Sequence, residues 1–240
     1  MPIWLPELSQ DLEWFPDPEL SLPEPDGLLA FGGCLKPQRL LSAYRQGIFP
    51  WFNEGDPLLW WSPSVRAIFP QNSLKLNRSL KKLLKNHPFH FSCNTAFAEV
   101  IAQCAQTRAR KGTWIQPNIQ YAYLQLHRLG KAHSLEVWQE GTLVGGCYGV
   151  QVGELFCGES MFNLVPNAAK LALLVLQQEL QKVCDGIIDC QMPNPFLLQM
   201  GAEPLPRTDY LRLLMQKRDL DLPLDLWQPR SIKLLQSEGT

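Results

Sequence analysis

The chain has 240 residues, 45% hydrophobic and 19% charged, which suits one large domain or two unequal ones around a real core. Lys and Arg total 22 against 23 Asp and Glu, a formal charge of −1, so binding of any polyanion needs a local basic patch. The seven cysteines contain no CxxC pair and the four histidines form no ligand pattern, which argues against a metal site and for reduced, packed thiols.

The opening stretch, MPIWLPELSQDLEWFPDPEL, carries acids and prolines where a signal peptide needs basic residues and an apolar core. No apolar run is long enough to cross a bilayer, so a cytoplasmic protein with no membrane partner is expected. Prolines and tryptophans crowd FPDPELSLPEPDGLLAFGG and GIFPWFNEGDPLLWWSPSV. Between them KPQRLLSAYRQG reads as a helix, with Pro37 near its start and Gly47 as its stop. A small irregular N-terminal domain over 1–63 is expected, followed by a larger domain over 64–240.

SLKLNRSLKKLLKNHP is an amphipathic helix. Leu76, Leu80, Leu83 and Leu84 follow helical spacing on one side, while Arg78, Lys81, Lys82 and Lys85 occupy the other. Asn77 or Ser73 is the candidate cap. Four cations without an acid form either a solvated surface or a phosphate-binding stripe. NTAFAEVIAQCAQ and NIQYAYLQLHRLG read as two more helices, the second stopped by Gly130. The period then changes: SLEVWQ, TLVGGCYGVQVG and ELFCGESMF form an antiparallel meander with turns at the Glu140–Gly141 pair and Gly153. NAAKLALLVLQQELQKVCD is a helix, GIIDCQ a strand, and DYLRLLMQKR a last helix before a polar tail. Three meander strands, a helix and one more strand is the order in the core of acyl-CoA N-acetyltransferase folds. The fold class expected is α+β: an irregular N-terminal domain, then an N-acetyltransferase-like (GNAT-type) mixed sheet with flanking helices.

Trp51 and Trp114 sit in turn-like segments, where they either plug a gap or stack on a nucleobase. Glu159 ends an apolar strand, as a surface acid on a sheet edge or as a held functional carboxylate. Asp189 and Gln191 interrupt another apolar strand. Strand alternation puts them on one face, where the amide can donate to the carboxylate or to a substrate. A buried Asp is costly without donors, so this pair is the strongest candidate for a site. No GxxxxGK[ST] or GxGxxG is present, and MFNLVPNAAKLAL lacks the glycines that cradle the pyrophosphate of coenzyme A.

Together FPDPELSLPEPDGLLAFGGCL, YRQGIFPWF, WWSPSVRAIF, GTWI, GGCYGVQVGELFCGESMF and IIDCQ resemble, in order, the blocks of the bacterial leucyl/phenylalanyl-tRNA–protein transferases. The resemblance implies transfer of leucine or phenylalanine, with methionine a minor donor, from aminoacyl-tRNA to the N-terminal amine of proteins beginning with Arg or Lys. The product enters the N-end rule pathway. An ester gives an amide, so no cofactor or metal is required, and a monomer is expected. By position, Asp189 and Gln191 match the family's catalytic pair, with Glu159 beside the aminoacyl site. Asp189 is either the proton acceptor or the anchor of the cationic acceptor. Trp51 and Trp114 correspond to the residues that hold the 3′-terminal adenosine. Cys147, Met161, Leu173, Leu176, Leu180 and Ile188 map onto the aminoacyl side-chain pocket. Arg78, Lys81, Lys82 and Lys85 take the role of tRNA backbone contact. The chain departs from the family pattern at Asn163, Leu164 and Phe196, and at Leu176, where an aromatic is common. Its rivals are an acetyl-CoA N-acetyltransferase, a tRNA-dependent cell-wall peptide ligase and a non-catalytic tRNA-binding protein.

Overall fold

The structure, a computed structural model, describes residues 4–85, 87–109 and 112–234. In chain order the elements are β1 (Glu7–Leu8), a 3-10 turn at Pro18–Leu20, β2 (Leu28–Gly32), α1 (Pro37–Arg45), β3 (Phe49–Pro50), β4 (Leu59–Trp61) and β5 (Val65–Phe69). Then come α2 (Arg78–Lys85), β6 (Phe89–Cys93), α3 (Phe97–Ala109), α4 (Pro117–Arg128), β7 (Ala132–Gln139), β8 (Thr142–Val152) and β9 (Leu155–Asn163). The last are α5 (Ala168–Leu180), β10 (Ile188–Asp189), α6 (Pro195–Met200), β11 (Glu203–Pro206), α7 (Arg207–Lys217) and β12 (Arg230–Ile232).

The chain is therefore a mixed α+β protein with two mixed sheets. The smaller has four strands in the order β1-β2-β4-β3, and the larger has eight in the order β11-β5-β10-β9-β8-β7-β6-β12. In the larger sheet the β9–β10 pair runs parallel and the other pairs run antiparallel. The meander, helix and strand follow in the expected order. One core lies between the larger sheet and α1, α3, α4 and α7, and joins Leu40, Ile48 and Trp60 of the N-terminal part to Tyr123, Tyr148 and Tyr210. The other lies on the opposite face, where Leu171, Leu173, Leu176 and Leu180 of α5 meet Phe69, Phe91, Val137 and Phe156.

Local chemistry accounts for the element ends. Pro37 and Pro117 open α1 and α4, where a missing N–H costs nothing. Gly47 (φ 75°) ends α1 in the left-handed region. Asn77 rather than Ser73 caps α2, its Oδ1 accepting the Leu80 N–H at 2.8 Å.

Three expectations need correction. The FHFSC segment, unassigned in the sequence, is β6. It pairs with β7 because Phe89 and Phe91 alternate inward while His90 faces out. The tail after α7 is not merely polar: Trp227 stacks on His133 at 4.3 Å, and β12 pairs with β6. The expected strand through Gln191 stops at Asp189, because Gln191 is left-handed (φ 57°).

Candidate active site

The larger sheet forks between β9 and β10. The two strands pair at Phe156–Ile188 and Cys157–Asp189 only; β9 then continues to Asn163 while β10 ends. A cavity of about 620 Å³ opens at this fork and reaches both faces of the sheet. Trp51, Trp114, Glu159 and Ser160 line it on the side of α1 and α4, and Met161, Leu173 and Leu176 on the side of α5.

A bulge aims Glu159. Tyr148 pairs with Ser160 and Gly149 with Gly158, which leaves Glu159 as the extra residue on β9. Gly149 is needed opposite, since a Cβ there would lie 2.2 Å from the Cys157 carbonyl oxygen. The sheet-edge surface reading fails for Glu159, because β9 is an interior strand. The Tyr123 hydroxyl donates to Glu159 Oε2 at 2.9 Å, and Gln191 Nε2 donates to Oε1 at 2.7 Å. Tyr123 and Tyr44 share a short hydroxyl–hydroxyl hydrogen bond, which ties the pair to α1. Burial pushes the Glu159 carboxyl up to about 7, although the bonds from Tyr44 and Tyr123 act the other way. The nearby Asp189 charge adds to the rise and Arg66 opposes it.

Asp189 is enclosed rather than open to the cavity. The wall passes through Ile188, Cys190 and Gln191 and omits it, and the side chain is 0% exposed. Arg66 grips both carboxylate oxygens, through Nε to Oδ1 at 3.2 Å and through a short Nη2 contact to Oδ2. The Tyr210 hydroxyl donates to Oδ2 and the Gln191 backbone N–H to Oδ1, each at 2.9 Å. Asp189 and Gln191 therefore do not share an open strand face, and the amide side chain turns to Glu159 instead. The physical reason is the Asx-type turn: the carboxylate accepts from the residue two positions on and stabilises its positive φ. Asp189 sets the backbone that delivers Gln191.

Trp51, Trp114, Met161, Leu173, Leu176 and Ile188 all line the cavity, as does Phe196. Cys147 and Leu180 belong to the same apolar core but not to the cavity wall. Leu180 is one turn too deep, and Cys147 is covered on β8. Asn163 and Leu164 are surface residues away from the wall. Lys170 Nζ lies 5.7 Å above the ring of Phe196, a residue of the cavity wall. On α2 the side chains of Arg78, Lys81 and Lys82 are exposed and Leu80 is buried; the Lys85 side chain lies outside the described residues. The segment leading into α2 joins α6 through the Lys75 N–H and the Met200 carbonyl at 2.8 Å, and α6 itself lends Phe196 and Leu197 to the cavity wall. Among the described residues, no His, Cys, Asp and Glu cluster suits a metal ion.

Arg66, Tyr44, Tyr123 and Tyr210 escaped the sequence reading. Arg66 carried a signal: a lone cation inside the apolar VRAIF strand needs a buried anion, and Asp189 is a lone anion needing a cation. Its guanidinium also packs 4.3 Å from the Tyr210 ring and 5.1 Å from Phe49, and Asp189 holds its pKa above the ordinary value. The tyrosines gave no such signal, because a helical Tyr on an apolar face reads as core.

Comparison with known proteins gives a family. The model described as leucyl/phenylalanyl-tRNA protein transferase matches residues 68–215, and the model for its N-terminal domain matches 33–64. The chain is 52% identical over 228 residues to the leucyl/phenylalanyl-tRNA–protein transferase of Shewanella woodyi, covering 95% of this chain and 97% of that protein. Identity to the Shewanella loihica protein of the same name is 50% over 228 residues, with the same shares. Among solved structures, a conserved protein of unknown function from Bacteroides thetaiotaomicron aligns with a TM-score of 0.39. It is 11% identical, over 66% of this chain and 57% of that one.

Proposed function

The chain belongs to the leucyl/phenylalanyl-tRNA–protein transferase family, and on that premise we propose how its cavity performs the transfer. The reaction moves leucine or phenylalanine, and methionine less well, from aminoacyl-tRNA to the N-terminal amine of proteins beginning with Arg or Lys. The new N-terminal residue marks the acceptor for N-end rule degradation. One observation carries this reading: a single cavity through the sheet fork joins two tryptophans, a carboxylate–amide pair and an apolar wall.

The terminal adenine stacks with Trp51 and Trp114 on the α4 side of the fork. The aminoacyl side chain passes to the other face, against Met161, Leu173, Leu176 and Ile188. Methylene-scale differences in such a pocket discriminate weakly, so leucine, phenylalanine and methionine all fit. The ester carbonyl then lies at the fork, beside Glu159. As the amine nitrogen bonds to the carbonyl carbon, Glu159 takes the proton it sheds. The bond to the ribose oxygen breaks, and Glu159 returns the proton to that oxygen as it leaves. Gln191 fixes the carboxylate, and Asp189 acts one step behind as a positioning residue. The ester is the energy source, so the chemistry calls for neither ATP nor a metal.

With this reading goes a division at residue 63, since the four-stranded sheet is built from residues before it and the eight-stranded sheet from residues after it. The meander–helix–strand order supports an acetyltransferase-like fold for the second part. A cytoplasmic monomer is proposed; no helix among the described residues is long and apolar enough to cross a membrane.

Leucine transfer from radiolabelled leucyl-tRNA to a peptide beginning with Arg tests the proposal, beside an otherwise identical peptide beginning with Gly. Label is expected on the Arg peptide alone. Binding of the tRNA without label on either peptide would refute the transferase reading. The exposed basic face of α2 makes its own prediction. Replacing Arg78, Lys81 and Lys82 with Ala should weaken tRNA binding and reduce the slope of log K against log salt by about 2–3. Titration across a salt series checks this, and an unchanged slope would move the phosphate contacts elsewhere.

A further inference from the structure

Ser160 follows Glu159 on β9 and lines the cavity, yet it is only 7% exposed. Its hydroxyl is shielded from solvent and has no hydrogen-bond partner in the protein. Buried hydroxyls are nearly always paired, and this one lies just behind the cavity wall, where a turn of the side chain about Cα–Cβ presents it to a ligand. The neighbouring residues fix its side. Met161 packs with the α5 core, whereas Phe162 packs with Tyr123 and Tyr148. Alternation then puts Ser160 on the face of Phe162, which is also the face of Trp51, Trp114 and Glu159.

We propose that Ser160 binds the donor's terminal ribose, pairing with its 2′-hydroxyl. The inference rests on the transferase reading above. If adenine lies between the tryptophans and the ester lies at the fork, the sugar that joins them must cross the wall at Ser160. A serine hydroxyl can both give and accept a hydrogen bond, and so can a ribose hydroxyl. The contact distinguishes an RNA 3′ end from a DNA 3′ end. It also fixes the sugar whose neighbouring oxygen is the leaving group.

The test is a two-by-two comparison of Ser160→Ala and the wild-type protein. The donors are tRNAs ending in adenosine or 2′-deoxyadenosine, each leucylated chemically on the 3′-oxygen. With the ribose donor, Ser160→Ala should lower kcat/KM roughly fivefold, the loss of one neutral hydrogen bond. With the deoxy donor the substitution should change little, because the partner is already missing. The thermal midpoint of Ser160→Ala should not fall, since the hydroxyl it removes is unpaired. Equal losses on both donors, no loss on the ribose donor, or a lowered midpoint would each overturn the ribose contact. Wild-type transfer beside an indifferent Ser160→Ala defeats this inference alone. A wild-type protein that transfers from neither donor defeats the transferase reading, and the ribose contact with it.

Discussion

Replacing Asp189 with Ala is expected to cost about 3–5 kcal/mol of folding stability, because it strips the counter-ion from a buried cation. Arg66 is 2% exposed and has no water to turn to. The same change removes the acceptor of the Gln191 N–H at 2.9 Å, and with it the support for a left-handed residue at φ 57°. Gln191 then swings from Glu159, and leucine transfer should fall on the order of 100-fold, the usual cost of misplacing a group by about an ångström. Stability and function can be separated. A variant carrying Arg66→Met, Asp189→Leu and Tyr210→Phe replaces the whole buried network with apolar groups, which is often neutral or stabilising. It should recover most of the stability in urea titration and little of the transfer. Recovery of both would mean that Asp189 serves folding only. A stable Asp189→Ala would contradict the ion pair itself.

The sequence carried the framework well where local chemistry decides structure. Prolines opened α1 and α4, Gly47 closed α1, and the Glu140–Gly141 pair, at φ 51° and 76°, turned the hairpin between β7 and β8. Period-2 alternation found the meander, and the 3.6 period found α5. Asp189, Gln191 and Glu159 were recognisable as residues out of place in apolar strands, and the structure gathers them in one region. Their relation was not legible. Alternation assumes an extended chain through Gln191, but the left-handed turn there is imposed by a hydrogen bond to Asp189. Helical spacing put Leu180 on the same face as Leu173 and Leu176, yet spacing says nothing of how deep a cavity runs. Arg66 stands 123 residues before Asp189, and such a pairing leaves no local trace.

Glu159 gives the second large effect. Its carboxyl is raised by burial to about 7, so near neutrality it can pass between a proton acceptor and an acid. The log of kcat/KM should therefore rise with pH through about 7, and through the acceptor's own α-amine near about 8, which must lose its proton to attack. Glu159→Gln removes the lower of these steps and leaves the upper one. The rate should fall by about 100-fold or more at pH 8, the scale of losing a positioned general base. Folding stability moves in the opposite sense. A carboxyl whose folded pKa lies above its unfolded value is favoured in its protonated form. Its stabilising contribution is full below about 4.5, the ordinary value for a solvated Glu carboxyl, and is lost as pH rises through about 7. Glu159→Gln should thus be no less stable than the wild type at pH 8, and its stability should vary less between pH 5 and 8. Chemical denaturation at both pH values, set beside the rate profile, decides the matter. A stable variant without the lower limb places the proton on Glu159. A profile that keeps that limb places the proton elsewhere, and the bulge in β9 would then serve only to hold Gln191.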